Sequence, residues 1–377
     1  MAVSMLRVVH IERFKCFESY RLDLSALTLL TGYNGAGKSS SLQPLLLLAQ
    51  ALRERPCSNV LAMNGPLVRL GSAGDVVSES AGGPITLGFS SEADHSAFWV
   101  FANDRALQRG ELSLDHSHFS FDEGDAPRWS PDGDLHPLLA SVRDLIFIGA
   151  SRRVSGEAQP FPESPTAVVG DVGAEGQWAG YWYIRQADEE VPTERRHPDD
   201  PRVTVRAQVD AWLNFLFPGA GVNAEQLPGV ALSRTSYTLG RSNERRRPSN
   251  VGYGLSYAFP LLVALICAAP GQVVIVDSPE AHLHPRAQSS MGRLLAHFAA
   301  AGVQVIVESH SDHLLSGVRL AVREGLLPAQ KSTIHFFGAD DGAVGNPQRI
   351  AIGGDGSISD WPEGFFDQAL TDLIGLS

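Results

Sequence analysis

Gly32-Tyr33-Asn34-Gly35-Ala36-Gly37-Lys38-Ser39 is the stretch on which the rest of the chain turns. It fits G-x-x-x-x-G-K-[ST], and each residue type has a chemical reason to be there. Glycines let the backbone curl until successive N–H groups point into one concavity, a nest for an anion. An apolar run at residues 27–30 leads into the stretch, and a helix-like run over 38–53 leads out of it. That helix adds the positive end of its dipole. Lys38 supplies a point charge for β- and γ-phosphates, and the Ser39 hydroxyl is a ligand for Mg²⁺. A chance match somewhere in a chain of this length is on the order of one in a hundred, and the strand-to-helix setting lowers that further. The nucleotide-contacting set is therefore Asn34, Gly35, Ala36, Gly37, Lys38, Ser39 and Ser40.

A phosphate loop needs an acid opposite it to hold the cation's water shell. Val273-Val274-Ile275-Val276-Asp277 is a buried-type strand ending in such an acid, so Asp277 joins Ser39 as a metal residue and the cofactors are ATP with Mg²⁺. Glu280 follows in Ser278-Pro279-Glu280. A second apolar strand, 303–307, ends in Glu308-Ser309-His310-Ser311-Asp312. His310 then faces the same crevice, since ligands of open α/β sheets bind at the carboxyl ends of the strands. Ser311 and Asp312 also suit a helix N-cap, and both readings hold together.

The 377 residues allow one large α/β domain or two small ones, and 44% apolar content supports a sizeable core. Charged residues make up only 19%, which argues against a long coiled coil or a disordered tail. A net charge of −12 disfavours a chain that binds nucleic acid over its whole surface, although a local basic groove stays open. Cys16, Cys57 and Cys267 are scattered, which suits a reducing compartment. No signal peptide is expected in the first ten residues, and the longest apolar run, 258–269, is too short to span a bilayer. A cytoplasmic protein without a membrane partner is expected.

The chain divides into a P-loop lobe (1–66), a β-rich segment (67–150), a loop-rich and helical segment (151–250), a lobe at 251–330 and a terminal segment (331–377). Short strands at 85–89, 97–102 and 145–148 read as an antiparallel subdomain. Helices are expected at 174–187, 205–217, 254–268, 286–300 and 312–323, and a hairpin at 229–240. Pro44 is expected to kink or loosen the helix at 38–53. Two buried strands alternating with helices imply a parallel sheet covered on both faces.

The order and spacing resemble ABC-type ATPase heads, the class of SMC-like and RecF-like ATPases. The resemblance implies an α/β P-loop NTPase with an ABC-type core sheet, an antiparallel β subdomain and a helical subdomain. Asn250-Val251-Gly252-Tyr253-Gly254-Leu255-Ser256 stands where such heads carry their signature element, about twenty residues before the acidic strand. By that likeness Gly252, Gly254 and Ser256 face the γ-phosphate on an opposite subunit, which implies a homodimer or higher homo-oligomer, and His310 is the phosphate-sensing switch. The element departs from Leu-Ser-Gly-Gly-Gln. A second departure is Ser278, where such heads place a catalytic glutamate after the Asp; Glu280 is the nearest substitute. A serine cannot act as the carboxylate that polarises water.

"IERFKCF", "LTLLTGYNGAGKSS", "NVGYGLSYAFPLL", "DSPEAHLHPRAQ" and "DWPEGFFDQ" are similar to prokaryotic stand-alone AAA-family ATPases with a C-terminal domain of unknown function. That group resembles the ATPase part of OLD-family nucleases and Septu-type anti-phage systems. The likeness implies a regulatory ATPase controlling a separately encoded nuclease or toxin; with Ser278 in place, either Glu280 serves hydrolysis or hydrolysis is slow. The alternative it leaves is a RecF-like DNA-repair ATPase with nucleic acid as partner. His282 and His284 are too few for a zinc site and are expected at the dimer interface. Arg152 and Arg153 read equally as surface charge or as contacts to phosphate, DNA or a partner, and Arg241 to Arg247 as a solvated loop.

Overall fold

The computed structural model describes residues 5–54, 58–78, 82–102, 110–121, 135–153, 156, 158–162, 168–240, 244–340, 343–344, 347–366, 372 and 374–376. At its centre lies a six-stranded sheet in the order Gln348–Ile350, Ser332–Phe337, Leu27–Gly32, Gln304–Glu308, Val273–Asp277, Ile146–Ile148. All neighbours are parallel except Gln348–Ile350, which runs antiparallel. Alternate side chains of the central strands enter two different cores. Val274, Val276, Val305 and Val307 join one. Val273, Ile275 and Ile306 join the other. This period of two explains why both strands read as unbroken apolar runs: each face is covered.

One face is covered by the helices Tyr253–Cys267, Pro285–Ala300 and Asp312–Arg323. Tyr253–Cys267 is apolar nearly all round, as a helix buried between layers must be. Asp312–Arg323 is amphipathic and starts on Ser311, whose Oγ accepts from the Leu314 N–H at 3.0 Å. Asp312 in its first turn and Arg323 in its last suit the helix dipole. The other face is covered by Lys38–Glu54, which runs continuously through Pro44, and by a second sheet.

That second sheet is antiparallel throughout, in the order Phe17–Asp23, Leu6–Phe14, Ile85–Ser91, Ser96–Phe101, Glu111–Ser120, Val60–Ala62. It draws strands from both sides of position 66, so the P-loop lobe and the β-rich segment share one layer. The strand near 145–148 does not belong to it. Ile146–Ile148 pairs in parallel with Val274, Ile275 and Val276 at the edge of the central sheet. A three-residue apolar run carries no signal of which sheet it joins.

Residues 179–238 contain the helices Ala179–Gln186 and Val205–Leu216 and a hairpin of Gly221–Gln226 with Leu232–Thr238. The hairpin's first strand lies before the expected 229–240 stretch; Gln226 to Leu232 is the turn. Ser332–Phe337 places the terminal segment inside the central sheet, directly beside the loop strand. Phe336 and Phe365 pack edge to face behind it.

Candidate functional site

The loop strand Leu27–Gly32 ends where the chain must turn sharply under its neighbour. Gly32 has φ +131°, and a Cβ there would collide with the Phe337 carbonyl. Gly35 and Gly37 take φ +77° and +99°, conformations that other residues reach at a cost, and so curl the loop around its own concavity. A Cβ on Gly37 would sit 2.9 Å from Cys16 Sγ and 3.0 Å from the Phe17 ring. Asn34 and Gly35 form the exposed lip, whereas Ala36 and Gly37 are buried. Ser40 bonds the Cys16 thiol.

Lys38 is 4% exposed, and its ammonium donates to the Gly32 and Tyr33 carbonyls at 3.0 and 2.7 Å. Burial lowers its pKa; Glu308 and Asp277 oppose that shift. The lysine is thus folded back across the mouth of its own loop, ready to exchange two carbonyls for phosphate oxygens.

Three acids converge on the loop from the adjacent strand ends. Asp277 and Glu308 are register partners on neighbouring parallel strands, and Glu308 is opposite Leu30 of the loop strand. The Ser39 hydroxyl lies 2.8 and 3.0 Å from the two Glu308 oxygens. Burial first, and the Asp277 charge second, push the Glu308 carboxyl up to about 7. Asp277 Oδ1 accepts from the Ser278 hydroxyl at 2.8 Å. Glu280 Oε1 accepts from the His310 backbone N–H at 2.8 Å, and its Oε2 is buried without a partner. His310 is exposed at the crevice; burial of its ring and the Lys38 charge lower its pKa. Ser39, Asp277 and Glu308 are the hard oxygen donors that Mg²⁺ takes, so these residues fit that cation.

Ser278 and His282 both have positive φ, +51° and +62°, in a tight turn closed by Ala281 N–H to Ser278 and Leu283 N–H to Glu280. Non-glycine residues in that region cost energy and persist only when the surroundings hold them. Arg152 is what holds Ser278. It is 5% exposed and donates to the carbonyls of Asp277 at 2.7 Å, Ser278 at 3.2 Å and Gly149 at 3.1 Å. Its guanidinium also lies 5.3 Å from the Tyr257 ring centre. Burial lowers its pKa to about 10. The surface reading of Arg152 therefore fails, while Arg153 is exposed and ion-paired with Glu175 at 2.8 Å.

The signature-like element is placed differently from its reading by likeness. Gly252 and Tyr253 are exposed at the start of the helix Tyr253–Cys267, but Gly254 and Ser256 are buried. A Cβ on Gly254 would lie 2.7 Å from the His282 carbonyl, and Ser256 is 1% exposed, beside Tyr237. The outward surface is thus Gly252 and Tyr253 at the start of the helix, because Gly254 is packed on the His282 turn and Ser256 on Tyr237. His282 packs between Tyr253 and Tyr257, and His284 caps the helix Pro285–Ala300 by accepting from the Arg286 N–H. Arg245, Arg246 and Arg247 are exposed ahead of this helix; Arg241 falls outside the described residues.

Sequence reasoning missed Glu308 as a site residue and did not foresee the internal role of Arg152. Glu308 carried the same signal as Asp277, an acid ending an apolar strand. Nothing local decided between the two readings of Arg152, because its Asp277 and Ser278 partners are over a hundred residues away.

A parallel sheet with a Gly-Lys-Ser loop at one strand end and acids at its neighbours is an α/β P-loop fold similar to that of ABC-type ATPase heads. Comparison with known proteins agrees at the level of fold. The Smc head bound to the C-winged helix domain of ScpA is 13% identical, with a TM-score of 0.50 over 97% of this chain and 99% of that one. The Smc head with an extended coiled coil from Pyrococcus furiosus is 12% identical (TM-score 0.48, 99% of each chain). The SMC head domain from Thermotoga maritima is 13% identical (TM-score 0.44, 93% of this chain and 99% of that one). Residues 179–316 match the family described as "AAA domain, putative AbiEii toxin, Type IV TA system", a stretch that holds Asp277, Glu280 and His310 but not the loop. Residues 327–376 match the family described as "Protein of unknown function (DUF3696)". No curated protein matches the chain. Among the described residues no helix is long and apolar enough to cross a membrane.

Proposed function

We propose that this chain is a cytoplasmic ATP-driven switch. It binds ATP with Mg²⁺ on the Lys38 loop, pairs with a second copy around the nucleotide, hydrolyses the ATP slowly, and so controls a separately encoded nuclease or toxin in defence against phage. The observation that carries the reading is the convergence of Lys38, Ser39, Asp277, Glu308 and the Glu280–His310 pair at one edge of the central sheet. The toxin-system description of the family matched over 179–316 supports the effector part. When bound, Mg²⁺ would be held by Ser39 and Asp277 beside Glu308, and would neutralise charge developing on the phosphates.

This chain's own residues do the rest. Lys38 exchanges its two carbonyls for phosphate. Glu280, fixed by the His310 N–H, is the carboxylate best placed to accept a proton from attacking water, with Ser278 occupying the usual position. A hydrolysis step that relies on a displaced acid is slow, as suits a timer rather than a motor. Gly252 and Tyr253 are the surface offered to the partner's nucleotide, with Gly254 and Ser256 supporting it from behind. Arg152 lines a cleft of about 1460 Å³ on one side and holds the Asp277–Ser278 carbonyls on the other, a physical route from an effector to the ATP site.

The test is mass in solution. With ATP and Mg²⁺, Glu280→Gln traps a dimer by light scattering, whereas wild type returns to monomer as ATP is spent. Monomer alone in both proteins contradicts the sandwich. A RecF-like DNA ATPase is the second reading, favoured by the exposed Arg245 to Arg247 ridge and the Smc-head fold. Salt-sensitive binding of duplex DNA, lost on replacing those arginines, would select it.

A further inference from the structure

The hydroxyl of Ser39 is the one loop group whose task is the cation, and it is already engaged. Both oxygens of Glu308 lie within 3.0 Å of it. Glu308 ends the strand between the loop strand and the Asp277 strand, is 7% exposed, and lies in the field of Asp277, Lys38 and Glu280. A carboxylate held there stands where phosphate and cation must enter. Without a cation its ionised form repels the phosphates; with one it becomes a hard-oxygen neighbour of the metal. Glu280 is engaged differently: its Oε1 accepts from the His310 N–H and makes no bond to Ser39.

We infer that Glu308 is a positioning residue that makes nucleotide binding depend on the divalent cation, by latching Ser39 until the cation arrives and then orienting that hydroxyl and the metal's water shell beside Asp277. The inference rests on the ATP-binding reading above. It explains why an acid is tolerated in so confined a position beside another acid. The latch opens only when a positive charge replaces the Ser39 proton as the carboxylate's partner. ADP or ATP alone would meet a closed site, and the chain would respond to the Mg²⁺ complex rather than to free nucleotide.

The experiment is a titration of the full chain with ATP, once with Mg²⁺ and once with EDTA, for wild type and Glu308→Gln. The quantity read is the ratio of the two affinities. In wild type the ratio is large. In Glu308→Gln, ATP binding in EDTA strengthens several-fold and the Mg²⁺ advantage shrinks by about tenfold or more, the size seen for outer-shell partners of metal ligands. Mn²⁺ titrated onto the nucleotide-loaded protein by electron paramagnetic resonance weakens in parallel. Glu308→Asp, which keeps the charge but falls short of Ser39, gives an intermediate ratio and carries the same test if the glutamine variant folds poorly. A ratio equal to that of wild type, including equal losses in both conditions, overturns the inference. Wild type that binds no ATP in either condition overturns the ATP-binding reading itself, and this inference with it.

Discussion

The phosphate loop and the signature-like element are both short glycine-bearing stretches before a helix, yet they were not equally readable. In the loop, every glycine answers to a backbone demand: Gly32 lies under a carbonyl, and Gly35 and Gly37 hold positive φ. In the element, Gly252 has an ordinary φ of −62° and nothing within 4 Å of a Cβ. Its Gly254 and Ser256 are inside the core. A motif whose chemistry is in its own backbone can be read locally. A motif whose chemistry depends on which helical face points outward cannot, because that is decided by the layers packed against it.

This contrast can be broken experimentally, starting from the largest effect. Gly32→Ala forces a Cβ into the Phe337 backbone at a φ of +131°, and should cost about 3 kcal/mol or more in denaturant unfolding. Gly252→Ala should cost under about 1 kcal/mol in the same assay. Equal costs would erase the distinction. Arg152→Ala removes the guanidinium from four carbonyls and releases the Ser278 turn; about 2–4 kcal/mol of stability should go, and Arg152→Lys should not restore it. Ser256→Ala should change stability by under about 1 kcal/mol and leave ATP-dependent pairing intact, since the hydroxyl is internal. Loss of pairing with the monomer unchanged would restore the direct contact read from likeness.

The smallest effect concerns His335, which lies beside the loop strand. Its Nε2 is 2.7 Å from the Asp23 carbonyl, its Nδ1 is 3.3 Å from Tyr20 Oη, and burial lowers its pKa. A base depressed in the folded state leaves the unfolded chain to take the proton first, so this histidine withdraws stability as pH falls below its ordinary value. Unfolding at pH 8 and pH 5.5 should show the decrease, and His335→Gln should reduce it. An unchanged difference would remove His335 from the account.

Much of the fold was legible because its strongest elements are periodic and long. Val273–Asp277, Gln304–Glu308 and the helices flanking them followed from apolar runs and cap residues such as Ser311. Ile146–Ile148 and the first hairpin strand did not, because three residues of apolar sequence, or a weakly alternating Gly221–Gln226, fit several sheets equally. In the site, Lys38, Ser39 and Asp277 were legible from chemistry that neighbours in sequence must share. The Ser39–Glu308 contact spans 269 residues and the Arg152 strut 125, and only the closed sheet brings such groups together.

The central claim is that Lys38 binds the phosphates of ATP. An equilibrium titration with a fluorescent ATP analogue and Mg²⁺, on wild type and on Lys38→Ala shown by circular dichroism to be folded, tests it most directly. The account predicts saturable binding of one nucleotide per chain in wild type and its loss in the variant. Undiminished binding to Lys38→Ala, or none to wild type, would contradict it.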